Sequence, residues 1–335
     1  MKKIVNDPKN VVSEMIEGYL AAYGGYYRRI PNIPGIILRE KRDKVAVVIG
    51  GGSGCEPLFL GFVGQGLADG VAIGNVFAAP SAYTIYEVTK QVHTGKGVLY
   101  IAGNHPGDFL NFDMAVELMA LEGVDARLIL SYDNIASAPP EAIQERRGMA
   151  GVVFVIKIAG GAASSGLNLT EATRITEKAA RATRSLSVIT APGYMPNGEP
   201  MFMMDDGMLE IGMGFNGEPG IYRADISKAD EITDLMLEYL IKDANLKEND
   251  EICVLVNGLG AISMMEMLIV YRRIKEILDS RGIIVHDSDI NKYFTPQEMG
   301  GFSITILVLD DELKKYYDMP AYSPDYHKCL CENTI

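Results

Sequence analysis

Residues 47–57 read VVIGGGSGCEP, a short β-branched run that ends in a turn paved with glycine. Such a run suits a strand buried on both faces, and glycines at its carboxyl end mark where an open α/β sheet admits ligands. The backbone N–H groups of Gly51, Gly52, Ser53 and Gly54 have little side chain to shield them, so ligand atoms can come close. Tight packing of one chain segment on another is a competing reason for the same glycines. The stretch is not a phosphate loop, because the Lys and Ser/Thr of that motif are absent. It is not the dinucleotide fingerprint either, because Cys55 stands where a third glycine is required.

Outward from this stretch, strand and helix patterns alternate. Residues 44–50 (KVAVVIG), 97–103 (GVLYIAG), 126–132 (ARLILSY) and 151–160 (GVVFVIKIAG) read as buried strands. Residues 80–93 and 111–123 carry apolar residues at helical spacing, the second closing on Gly123, and residues 169–186 read as a long helix capped by Thr170. This order predicts an α/β fold, with mostly parallel or mixed sheets and helices on their faces. Residues 191–220 are dense in Gly, Pro and Met, which marks turns and short strands. Alternation then resumes with a helix over 229–243, a strand into a glycine turn over 251–260, a helix over 264–282 and a strand followed by a helix over 300–318. The reading is two α/β domains divided near residue 185: 1–185 with the glycine turn, and 186–335.

Composition narrows the function. The chain has 335 residues, of which 48% are hydrophobic and 22% charged, enough for two ordinary cores. The net charge of −13 speaks against a nucleic-acid surface, since the longest basic cluster is REKRDK at 39–44. No apolar run reaches the length of a membrane span. The N-terminus MKKIVNDPKN lacks the apolar stretch of a signal peptide, and the cysteines Cys55, Cys253, Cys329 and Cys331 show no CxxC spacing. A soluble, cytoplasmic protein is the expectation.

Two further turns carry polar groups. In GNHPGDFLNFD (103–113) a strand ends, Pro-Gly turns the chain and Asp108 emerges just before a helix, where it serves as an N-cap or as a functional carboxylate. His105, beside Asn104, is either solvated or a donor or base in a pocket. In GMGFNGEPG (212–220), Asn216 sits between glycines.

Together with NDPKNVVSEMIEGYLAAY, RRGMAGVVFVIKIAGGAA, VNGLGAISMMEMLIVY and GGFSITILVLDDELKKYYDMPAYSP, these segments resemble the substrate-binding subunit of dihydroxyacetone kinase, the DhaK family, over more than 300 residues in the same order. The resemblance implies a two-domain α/β subunit, usually a homodimer. Such a subunit binds dihydroxyacetone, or a related small ketose or polyol, while a partner subunit holding ADP/ATP and Mg donates the phosphoryl group. It implies Asp108 as the base toward the accepting hydroxyl. The family's two active-site histidines fall on Cys55 and Asn216. An amide nitrogen cannot form the family's hemiaminal, so Asn216 is expected to bind by hydrogen bonds only. Glu56 is expected to raise the pKa of Cys55, which suits a pocket wall better than a nucleophile. The candidate site is therefore Asp108 as catalytic group, with Gly51, Gly52, Ser53, Gly54, Cys55, Asn104, His105 and Asn216 around the substrate. The other function the sequence allows is a ligand-sensing paralogue without turnover that joins a DNA-binding regulator.

Overall fold

The structure, a computed structural model, describes residues 3–329; Cys331 lies outside them. In chain order the helices are α1 Val11–Tyr23, α2 Ala82–Val92, α3 Pro106–Leu121, α4 Val152–Ser164, α5 Leu169–Ala182, α6 Ala229–Ala244, α7 Met264–Ser280 and α8 Asp311–Tyr317. The strands are β1 Tyr27–Arg29, β2 Gly35–Leu38, β3 Ala46–Ser53, β4 Gly70–Val76, β5 Val98–Gly103, β6 Ala126–Ser131, β7 Thr183–Ala191, β8 Met208–Ile211, β9 Tyr222–Asp225, β10 Glu251–Gly258, β11 Ile284–Asn291 and β12 Gly300–Leu309. A small ribbon, β13 Ala321–Tyr322 with β14 His327–Lys328, follows.

The chain forms two compact units that interleave in sequence. Among the described residues, one comprises Ile4–Ser131, Val152–Ala180 and the chain from Asp311 onward; the other comprises Lys3, Tyr132–Gly151 and Arg181–Asp310. A single cut after residue 185 does not describe this division, because residues 132–151 leave the first unit early and the chain from residue 311 onward returns to it.

The first unit is built on a six-stranded sheet in the order β1-β2-β4-β3-β5-β6. Its centre is parallel, β4 beside β3, β3 beside β5 and β5 beside β6, while β1 and β2 run antiparallel at one edge. Val48, Ala72, Tyr100 and Ala102 bury one face of this sheet against Ile85 and Val88 of α2 and Phe112 and Met119 of α3. Helix α3 ends where Gly123, at a φ of 73°, gives its N–H to Ala120, and the next N–H, of Val124, returns to Met119.

Three sequence expectations fail here. Residues 151–160 are not a strand but most of α4, whose side chains are buried from Val152 to Ala163. A helix hydrophobic all round has no period to read, so a continuous apolar run cannot be told from a buried strand. The helix predicted to end near residue 186 stops at Ala182, and Thr183 starts β7 directly. Its cap is Asn168, whose Oδ1 accepts the Glu171 N–H at 3.0 Å, rather than Thr170.

The second unit carries a six-stranded sheet in the order β11-β10-β12-β7-β8-β9, mixed because only β10 and β11 run parallel. Leu186, Val254 and Ile304 of this sheet pack with Met236 and Leu240 of α6 and Ile274 of α7. The methionine-rich segment does not float over it. Met213 and Phe215 join Met149, Ile189, Leu259 and Met299 in a separate cluster, with Met201, Phe202, Met204 and Phe294 packed on its border. Methionine suits such an irregular seam because its unbranched side chain adapts to gaps.

Candidate functional site

Three βα turns meet at the carboxyl ends of β4, β3 and β5, neighbouring parallel strands of the first unit. The glycines of the first quoted stretch belong partly to the strand itself, since β3 continues through Ser53. Their missing side chains are replaced by protein. A Cβ on Gly51 would stand 2.1 Å from the Phe59 ring, and one on Gly52 2.8 Å from the Ala78 nitrogen. Ser53 is buried and donates to the Gly74 carbonyl at 2.7 Å, while its own carbonyl takes the Phe77 N–H at 2.9 Å. Close packing of the turn after β3 on the turn after β4 is therefore one reason for this glycine run.

Gly54 needs its freedom, with a φ of 94°, and its N–H points into the carboxylate of Glu56 at 3.0 and 3.1 Å. Cys55, between them, is buried, and burial first and the charge of Glu56 second push its thiol pKa well up. Burial also raises the pKa of Glu56 itself, with the Gly54 N–H working against that rise.

The turn after β5 brings Asp108 in. Asn104 gives its N–H to the Ser131 carbonyl at 2.8 Å, and His105 gives its own to Gly103 at 2.8 Å. Helix α3 starts earlier than its apolar spacing indicates: Pro106 occupies the first helical position, which its fixed φ favours, and His105 is the N-cap residue through its backbone alone. Asp108 thus lies inside the first turn of α3 and is not a cap. A Cβ on Gly107 would reach Ala79 at 3.2 Å, so this turn lies against the turn after β4.

Asp108 is 9% exposed, and among the described residues its Oδ1 has no hydrogen-bond partner. An unpartnered, buried carboxylate oxygen is costly, and burial lifts the pKa of this group to about 7. The α3 dipole, which favours a negative charge in the first turn, is too weak to cancel that desolvation. The arrangement is a carboxyl group poised near neutrality, with one oxygen free to take a hydrogen bond or a proton from something placed beside it.

Asn216 belongs to the second unit. It is exposed, next to buried Phe215, and its loop is tied down by Glu218, which takes the Asn216 backbone N–H at 3.1 Å and its side-chain amide at 3.4 Å. Gly51, Gly52, Ser53, Gly54, Cys55, Asn104, His105 and Asp108 fall in one unit, at the ends of adjacent strands; Asn216 falls in the other. The sequence reading missed the turn after β4, with Phe77 at a φ of 53° and Gly74 pressed on the Ala78 carbonyl. Its signal was the GNVFAAPS run at 74–81.

Comparison with known proteins gives this geometry a setting. The Dak1 domain matches residues 17–325. The chain is 41% identical to PTS-dependent dihydroxyacetone kinase 2, dihydroxyacetone-binding subunit DhaK of Listeria innocua, over 97% of this chain and 98% of that one. It is 38% identical to the L-erythrulose kinase of Pectobacterium atrosepticum over 98% of this chain, but spans only 56% of that protein's length. Among solved structures, the dihydroxyacetone kinase operon co-activator DhaQ superposes with a TM-score of 0.86 at 28% identity, covering 92% of this chain and 96% of that one.

Proposed function

The chain belongs to the Dak1 domain family, and from that premise we propose that it binds dihydroxyacetone or a related small ketose or polyol and presents it for phosphoryl transfer from a separate donor subunit. The observation that carries this reading is Asp108, a buried carboxyl group with a pKa of about 7 and an unpartnered Oδ1 at the end of β5. In this role Asp108 accepts the proton of the hydroxyl that takes the phosphoryl group, and a pKa near the working pH suits a general base. Phosphoryl transfer depends mainly on positioning and charge stabilisation. The nucleotide and Mg²⁺ belong, in this reading, to the donor subunit, and the working unit is a homodimer.

The ligand is held without a covalent bond. The Asn216 amide is not a nucleophile, and the buried Cys55 thiol with its raised pKa is protonated at neutral pH. A surface suited to a protein partner adjoins Asp108: Phe109, Leu110 and Met114 on α3 are 41%, 62% and 54% exposed.

A second reading has its own observation in the near full-length match to the DhaQ co-activator. In it the same pocket senses the ligand, and the docking surface meets a DNA-binding regulator. The test is turnover. The purified chain is mixed with a DhaK-family donor subunit, its phosphoryl source and dihydroxyacetone or erythrulose, and product is measured alongside ligand binding by calorimetry. Product formation abolished by Asp108→Asn supports the kinase subunit; binding without product supports the sensor; neither binding nor product overturns both.

A further inference from the structure

At the opposite end of the first sheet from Asp108 lies a groove of about 430 Å³, lined by Tyr26, Arg39, Glu40, Arg42, Gln65 and Tyr322. Its place follows from the strand directions. Leu38, at the end of β2, gives its N–H to Asp69, and Asp69 gives its own to Val47 at the start of β3, so the groove adjoins the amino ends of the parallel strands. The eight residues of β3 separate it from the glycine turns by roughly 25 Å at the usual rise of a strand.

The groove is preformed. The segment bearing Tyr322 is fixed on the turn before β4 by the Tyr322 N–H on the Gln65 carbonyl at 2.8 Å and the Ser323 hydroxyl on the Gly61 carbonyl at 2.6 Å. Gly64 permits that approach, since a Cβ there would stand 2.2 Å from the Tyr322 carbonyl oxygen. Elsewhere on the lining, Arg39 gives its Nε–H to the Gly24 carbonyl at 2.7 Å, which fixes the guanidinium plane and leaves the terminal nitrogens for other partners.

Of the other arginines in the first unit, Arg29, Arg127 and Arg174 each meet a carboxylate, and Arg28 meets none among the described residues. Arg39 and Arg42 meet none among the described residues, although the chain carries a net charge of −13 and Glu40 stands between them in sequence. Two guanidinium groups without carboxylates match a phosphate, which arginine binds through paired N–H donors. The aromatic wall matches a ring: Tyr26 and Tyr322 are 50% and 47% exposed, with centroids 5.8 Å apart. Glu40 and Gln65 are left to accept from hydroxyl groups between ring and phosphate. The volume lies in the range of small-molecule sites and suits one mononucleotide.

We propose that this groove binds a mononucleotide, its phosphate on Arg39 and Arg42 and its base against Tyr26 and Tyr322. The site lies too far from Asp108 to serve as the source of a transferred phosphoryl group, so it is an effector site. The proposal does not depend on the function proposed for Asp108.

Calorimetry on the full chain with AMP, adenosine and inorganic phosphate tests it. AMP is expected to bind once per chain, at least about tenfold more tightly than adenosine or phosphate alone, as separate ring and phosphate contacts require. Arg42→Met and Tyr322→Ala should each weaken AMP by about tenfold or more, while Asp108→Asn leaves AMP binding unchanged. Arg42 and Tyr322 are exposed, and thermal unfolding of each variant checks that the fold is intact. Three results would overturn the proposal: no AMP binding up to millimolar concentration, phosphate alone binding as tightly as AMP, or AMP binding indifferent to Arg42→Met. A groove that instead joins two copies of the chain would give the first result together with a sedimentation shift in Arg42→Glu.

Discussion

Gly51 lies flat against Phe59: a Cβ built on the glycine would fall 2.1 Å from the ring's Cε2 and 2.8 Å from its Cδ2. The glycine run at the end of β3 is thus shaped by the segment that follows it. Because Phe59 is itself 8% exposed, its ring has little room to retreat. Gly51→Ala should destabilise the protein by about 1–3 kcal/mol, the usual cost of overpacking. Pairing it with Phe59→Leu should return part of that loss, measured as a coupling in urea unfolding of the two single variants and the double. Equal and additive losses would place the clash elsewhere.

The Asp108 carboxyl sets activity against stability. Its pKa of about 7 in the folded protein lies above the 3.8 of a free aspartate. Between those values the unfolded chain has released a proton that the folded chain still holds, so stability falls as pH rises from about 4 to 7 and is level outside that window. The full difference corresponds to at most about 4 kcal/mol. Asp108→Asn removes it, so the variant should melt higher than the parent at pH 8 and match it at pH 3.5. If the chain is a kinase subunit, the same variant should lose about 10²-fold or more in kcat, with a smaller change in ligand affinity. A variant no more stable than the parent at pH 8 would show that Asp108 is solvated.

Much of this arrangement was legible in the residues, and the failures have physical causes. The strands β3, β5 and β6 announced themselves because β-branched runs end at glycine or at a turn. Helix α4 did not, since Lys157 is buried within it with its Nζ on the Tyr316 carbonyl at 3.0 Å, so the run shows no polar face. No breaker separates Ala182 from Thr183, and the junction of α5 with β7 was unreadable for that reason. Asp108 was picked out by its Pro-Gly turn, but its missing partner is a property of packing. The tie between Glu56 and the Gly54 N–H depends on turn geometry that sequence spacing does not encode.

The thiols should sort by environment. Cys55 and Cys253 are buried and Cys329 is exposed; burial and the Glu56 charge hold the Cys55 thiol in its protonated form at neutral pH. Titration of the native protein with a thiol reagent at pH 7.5, with peptide mapping, should label Cys329 promptly and Cys55 only on unfolding. Prompt labelling of Cys55 would mean that its turn opens, and would return a cysteine nucleophile to the chemistry of the site.

In the second unit, stability should rest heavily on Asp243. Its carboxylate takes two hydrogen bonds from Arg146, at 2.8 and 2.5 Å, and a third from the Arg184 Nε at 2.7 Å. Arg146 is fully buried, so deleting the carboxylate strands a charge out of water, and Asp243→Ala should cost about 3–5 kcal/mol. Urea unfolding measures this, and Arg146→Met in the same background should recover part of it by removing the stranded charge.

Covalent capture gives the last expectation. Neither Asn216 nor Cys55 offers a nucleophile at neutral pH, so the native mass spectrum of the chain with dihydroxyacetone should show no adduct that survives collisional activation. The family resemblance puts histidines at these two positions. Cys55→His with Asn216→His should therefore supply an imidazole nitrogen that adds to the ketone, the carbonyl oxygen taking a proton to become the hydroxyl of a hemiaminal, seen in the same spectrum as one added ligand mass that Cys55→His alone does not give. Asn216 is exposed, and Glu218 holds its loop through the backbone N–H at 3.1 Å as well as through the side-chain amide at a longer 3.4 Å, so the backbone tie survives the substitution. A double variant that is folded, binds dihydroxyacetone by calorimetry and still forms no adduct would show that position 216 does not reach the carbonyl. The ligand would then have to be sought against Asp108 and the first unit alone.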